Sequence, residues 1–149
     1  MYESYSRQCL PSRRYRELLG SAICVFNSNN SFIIENILKN DSQGVYSWHT
    51  LINYTSGQLS SPVKETITKN SSTEIAKKIE EVVVVRNRII HSFQITAPVG
   101  SDLSDDEDRQ MLSTRHKNGK QEYITEDFIL KFIKINEELS LMLHAFRGY

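Results

Sequence analysis

Helical periodicity along most of the chain, a turn dipeptide of the hairpin type and a core-sized share of apolar residues predict an all-α fold. The expected form is an up-and-down four-helix bundle with a small β-hairpin inserted between helices three and four. The chain has 149 residues, 39% of them hydrophobic. That suffices for one real core and leaves little chain for a second, so residues 1–149 read as a single helical domain.

Helix one should open after Pro11 with Ser12 as N-cap and carry Leu18, Leu19, Ala22, Ile23, Phe26, Ile33, Ile37 and Leu38 to Lys39. Its weak point is Asn27-Ser28-Asn29-Asn30, whose side chains compete for backbone hydrogen bonds; a kink or a split is expected there. Asp41-Ser42-Gln43-Gly44 is a turn. Helix two follows with Trp48, Leu51, Ile52, Thr55 and Leu59. Ser61-Pro62 offers a second start, with Pro at the first helical position, for a short helix holding Val63 and Ile67.

Helix three begins with the capping-box pattern Ser71-x-x-Glu74. Ile75, Ile79, Val82, Val83, Ile89, Ile90 and Phe93 then recur at three-and-four spacing and predict a helix to Phe93. The run Val82-Val83-Val84-Val85 alone favours a strand, but the periodicity on both sides and the cap favour the helix. Asn118-Gly119, set between two short β-prone runs, predicts a two-stranded hairpin over residues of about 109 to 124. Thr125 caps helix four, Glu126 and Asp127 suit its first turn, and Phe128, Phe132, Ile135, Leu139, Met142 and Phe146 mark one face. Ile129, Ile133, Leu141 and Leu143 widen that face beyond what one neighbouring helix covers, which points to a subunit interface or a three-sided bundle environment.

Lysine and arginine number 18, as do aspartate and glutamate, so no global field draws the protein onto nucleic acid or an anionic membrane. Any polyanion must meet a local patch. Arg7, Arg13, Arg14 and Arg16 offer one near the start, and Arg109, Arg115, Lys117 and Lys120 another, against an acidic knot from Asp102 to Asp108. That knot lacks EF-hand spacing and reads as a solvated loop. Cys9 and Cys24 form no metal or disulfide pattern and suit a reducing compartment. His49, His116 and His144 show no zinc-ligand spacing, so neither a metal nor another cofactor is expected. No apolar stretch approaches the roughly 18 to 20 residues of a membrane span, and the polar start lacks a signal-peptide core; a cytoplasmic protein is expected.

One run breaks the apolar pattern. Arg86-Asn87-Arg88-Ile89-Ile90-His91 lies near the end of helix three, and at about 100° per residue Arg86 falls within about 40° of Ile79, Val82, Ile90 and Phe93. A guanidinium buried there unpaired would cost several kcal/mol. It therefore needs a buried acid, with Glu35, Glu137 or Glu138 as candidates, or it opens into a cleft that receives an anion. Asn87 and His91 are one turn apart on the helix. A fixed cation, an amide and an imidazole, the side chain made for proton transfer near neutral pH, form a compact set. These groups can cleave RNA without a metal: a base takes the proton of a 2′-hydroxyl, and a cation stabilises charge on the phosphoryl oxygens. The plainer reading of His91 is a cap on the last carbonyls of the helix.

The pattern of Arg, then a polar residue, then His after four to six residues, placed near the end of a third long helix, resembles the signature of the HEPN superfamily. The resemblance spans nearly the whole chain through the four-helix layout. It implies a small helical bundle that dimerises so that two motifs share a cleft, and a metal-independent endoribonuclease of the kind found in toxin-antitoxin, phage-defence and stress systems. Arg86, Asn87 and His91 would be its catalytic residues; its partners would be a second copy, an RNA substrate and an antitoxin or regulatory protein. Members that have lost activity imply the alternative, a non-catalytic module binding a nucleotide or a protein.

Overall fold

The computed structural model describes residues 2–99 and 109–148. The acidic knot, residues 102–108, lies outside them. Along the chain run α1 (Arg13–Lys39), α2 (Trp48–Leu51), α3 (Ser60–Val63) continued by a π-helical segment (Lys64–Thr68), α4 (Glu74–Ile90), β1 (Phe93–Thr96), β2 (Gln110–Arg115), β3 (Gln121–Ile124) and α5 (Glu126–Arg147). Three long helices and a three-stranded antiparallel sheet in the order β1-β2-β3 replace the expected all-α four-helix bundle.

Two local outcomes account for the correction. Helix two does not form as a long element: Trp48 and Ile52 stay exposed, and the backbone of Thr55 and Gln58 is capped by each other's side chains, closing a turn where the helix should run on. Of the one turn that forms, only Leu51 is buried, so it has little tertiary support to propagate as a helix. At the other place, Phe93 begins β1 and does not end helix three. Its strand pairs with β2 in the register Phe93↔Ser113 to Thr96↔Gln110, while β2 pairs with β3 from Leu112↔Ile124 to Arg115↔Gln121. The hairpin around Asn118-Gly119 is present, with Gly119 at φ 86°, the left-handed backbone that such a turn needs. It gains a third strand that the periodicity concealed.

The long helices pack in an up-down-up order. Contacts between α1 and α5 advance together along both helices, Phe26 on Phe132, Asn29 on Asn136 and Glu35 by Arg147, so the two run parallel. Helix α4 runs the other way: Lys78 meets Glu138 and Arg86 meets Phe26. The Asn-rich stretch of α1 does not split it. Asn29 is buried and gives its amide hydrogens to the backbone and side-chain oxygens of Asn136, so its side chain is engaged across the interface and cannot compete for its own backbone. The core is built from Ala22, Ile34 and Ile37 of α1, Leu51, Leu59 and Ile67 of the short segments, Val82 of α4, and Ile129, Phe132, Leu139 and Leu143 of α5. On α5 the core line is thus Ile129, Phe132, Asn136, Leu139 and Leu143, with Leu141 left exposed.

The N-caps match their expected roles at two of the three long helices. Ser12 Oγ accepts from the Tyr15 amide and Thr125 Oγ1 from the Phe128 amide. At α4 the capping box is not made: the Ser71 hydroxyl donates to Ile67 O and Ser72 Oγ accepts from the Glu74 amide. Because α1 starts, α4 ends and α5 starts at the sheet, the sheet closes that end of the bundle. Tyr15 seals the join. Its hydroxyl donates to Ile124 O at 2.5 Å and accepts from the Leu112 amide at 3.1 Å. Burial pushes its pKa up to about 12, so it keeps its proton. Among the described residues no helix is long and apolar enough to cross a membrane.

Candidate active site

Helix α4 carries the motif on its last turn and a half. Ile79, Val82 and Ile89 are buried on its inner face, but Ile90 and Phe93 are 47% and 44% exposed. The apolar stripe therefore leaves the core just where Arg86 interrupts it, and Arg86 is half-buried, with Asn87 and His91 exposed. A charge at the mouth of the core keeps part of its hydration while its methylene stem packs inside.

Among the described residues Arg86 does not have the buried acid that the sequence offered as one of its two settings. Its guanidinium carbon lies 5.5 Å from the centroid of the Phe26 ring on α1, and Phe26 stacks on Phe132 of α5 with centroids 6.4 Å apart. The negative face of an aromatic ring attracts a cation and holds it by about 0.5 to 1 kcal/mol where solvent reaches it. The candidate acids are elsewhere. Glu138 binds Lys78 at 2.9 Å, Glu35 lies 3.9 Å from Arg147, and Glu137 lines a surface groove beside Ser140. Among the described residues no carboxylate lies within ion-pair distance of Arg86.

Arg86 Nη1 donates to Asn87 Oδ1 at 3.1 Å. This bond turns the guanidinium edge toward the outer face of α4 and fixes the amide beside it. The remaining guanidinium N–H groups make no hydrogen bond among the described residues, which leaves them for an anion's oxygens. His91 is the C-cap of α4, with φ −95° and ψ 21°, and its backbone N–H donates to Asn87 O. The helix end is closed by the backbone and by the Ser92 hydroxyl, which donates to Ile89 O at 2.6 Å. The imidazole is not used as a cap; it stands exposed, one turn beyond Asn87, with no hydrogen bond to the described residues. The structure thus joins Arg86 to Asn87 directly and sets His91 next to Asn87 along the same helix edge.

Sequence reasoning placed Phe26 in the core but missed it as the seat of Arg86. An aromatic 60 positions away carries no sequence signal of which cation it will receive. A turn before Asn87, a groove of about 300 Å³ is lined by Gly57, Val63, Ala76, Ile79, Val83 and Val84 among others. It continues the motif's edge of α4 as an apolar surface. Among the described residues no three His, Cys, Asp or Glu side chains come together as metal ligands would. No family model, curated protein or solved structure matches the chain.

Proposed function

We propose that the chain is a metal-independent endoribonuclease of the HEPN type, acting as a homodimer in phage defence, toxin-antitoxin control or stress response. One observation carries the reading: Arg86 has no carboxylate partner among the described residues, is held on Phe26, and leans on Asn87 one turn from an exposed imidazole. In this chemistry His91 takes the proton of a ribose 2′-hydroxyl, and the freed oxygen bonds to the neighbouring phosphorus as the bond to the 5′-oxygen breaks. The departing oxygen takes a proton from the imidazolium or from water. Arg86 stabilises charge building on the phosphoryl oxygens, and Asn87 orients the phosphate or the guanidinium.

The open surface around the motif supports a second subunit. Ile90 and Val84 are exposed beside it and the apolar groove lies next to them, so a second copy docked on this edge of α4 would enclose two motifs in one cleft. The test is cleavage of an RNA panel by purified protein beside Arg86→Ala and His91→Ala. The expected result is metal-chelator-resistant cutting that leaves 2′,3′-cyclic phosphate ends, spares DNA, and is lost in both variants. Equal cutting of DNA, or full activity in His91→Ala, defeats the reading. RNA bound by wild type but never cut would favour the alternative, a non-catalytic HEPN-like module that binds a nucleotide or protein on the same surface.

A further inference from the structure

The β2–β3 hairpin ends in Arg115-His116-Lys117-Asn118-Gly119-Lys120, a basic tip. Arg115, Lys117 and Lys120 are exposed, and none is in an ion pair among the described residues. The carboxylate within the hairpin, Glu122, sits 3.6 Å from His116 and lies opposite Thr114, whereas Arg115 lies opposite the neutral Gln121. The tip is well formed: the His116 amide donates to Lys120 O, Gly119 to His116 O, and Lys120 to Asn118 Oδ1. Among the described residues, then, three exposed cations on one turn have no ion-pair partner, and together they make a local basic patch.

The sheet register tells where this tip projects. Phe93, the first residue of β1, faces Ser113. His91 precedes Phe93 by two residues, a reach of at most about 7 Å, and Arg115 follows Ser113 by two, also about 7 Å along the strand. Strands β1 and β2 are antiparallel, so the end of the sheet that receives the end of α4 is also the end from which the hairpin tip extends. The basic tip and the His91 edge therefore lie at one end of the molecule.

We infer that the hairpin tip is an RNA-backbone arm: Arg115, Lys117 and Lys120 hold phosphates of the strand flanking the bond presented to His91. This rests on the ribonuclease reading for the identity of the polyanion. Phosphate contacts of this kind fix position without reading sequence, and each neutralised phosphate contributes about 0.7 to the log–log salt slope of single-strand binding. Three lost cations should flatten that slope by about 2.

The test compares Arg115→Gln/Lys117→Gln/Lys120→Gln with its parent, both in a His91→Ala background, for anisotropy of a labelled unstructured oligoribonucleotide across a salt series. Thermal melts check that both are folded, as expected for exposed side chains at a strand end and turn whose backbone bonds are untouched. In the His91 form, cleavage of the oligoribonucleotide and of a dinucleotide too short to reach the tip is measured in parallel. The inference predicts the flatter slope, a raised KM for the long RNA and unchanged dinucleotide cleavage. An unchanged slope with the dinucleotide still cut overturns the arm and leaves the ribonuclease standing. A flattened slope with no cleavage of either substrate keeps the arm and defeats the ribonuclease. Displacement of RNA by polyglutamate of equal charge, with the same dependence on the three cations, would assign the tip to an acidic protein and overturn it as an RNA arm.

Discussion

Arg86 rests on an aromatic ring and, among the described residues, has no carboxylate to strand, and that fixes what its loss should do. Arg86→Ala removes a half-exposed cation–π contact, so its destabilisation should stay near about 1 kcal/mol; a buried ion pair broken on one side would cost about 3 to 5 kcal/mol. His91 is exposed and its backbone, not its ring, caps α4, so His91→Ala should leave the melting temperature in place while lowering cleavage on the order of 10²-fold or more. Thermal denaturation beside a cleavage assay reads both. A drop of several kcal/mol in Arg86→Ala with His91→Ala fully active would leave Arg86 as a structural residue. The anomaly of Arg86 was legible in the sequence because a charge on an apolar stripe is visible in one dimension. Its solution was not, since Phe26 and Arg86 meet only once α1 and α4 have packed.

Among the elements, α1, α5 and the hairpin were legible because each announces its own ends: Ser12 and Thr125 as caps, Asn118-Gly119 as a turn. Strand β1 was hidden. Four residues after a helix continue the three-and-four pattern as easily as they start a strand, and its partner lies across an intervening segment, so only pairing reveals it. The failure of helix two has the same origin in reverse: its apolar positions fit a helix locally, but Trp48 and Ile52 find no surface to bury against. Between α4 and α5, Lys78 holds Glu138 at 2.9 Å, and this bond keeps the Glu138 carboxyl below its ordinary pKa of 4.5. A carboxylate depressed in the folded state contributes stability that is present above its unfolded pKa and fades as pH falls through the folded one. Glu138→Gln should therefore melt slightly below wild type at neutral pH, with the difference closing under acid; a gap that persists at low pH would assign the effect to packing.

At the scale of the whole molecule, the parallel course of α1 and α5 places three helix ends on one sheet, and with them the motif, the Tyr15 join and the basic tip. That direction was not legible either: an up-and-down order follows from counting four helices, and the count changed when the second failed to form. The apolar edge of α4 and the groove beside it should bring two copies together in solution. An interface of standard size buries on the order of 1,600 Å², and light scattering should report a dimer at micromolar concentration. Substituting Val84, exposed beside the groove, with Asp should shift the protein toward monomer with little loss of fold; a monomer in the parent would remove the second subunit from the proposal.

The hydroxyl of Tyr15 has a mechanical meaning. Arg86 rides on the helix barrel, anchored to Phe26, whereas His91 stands at the two-residue joint by which α4 passes into the sheet. The angle at that joint sets the spacing of cation and imidazole, and because Phe26 and Tyr15 share α1, the bolt that ties that helix to β2 and β3 is the Tyr15 phenol. Tyr15→Phe leaves two buried backbone groups short of a partner, a cost of about 1 to 3 kcal/mol. Its sharper signature should be kinetic: at a temperature where the variant is fully folded, turnover should fall while oligoribonucleotide binding holds, and the His91 ring resonances should broaden. A variant less stable yet equally fast, with His91 resonances unaltered, would mean that the joint holds its angle without the bolt.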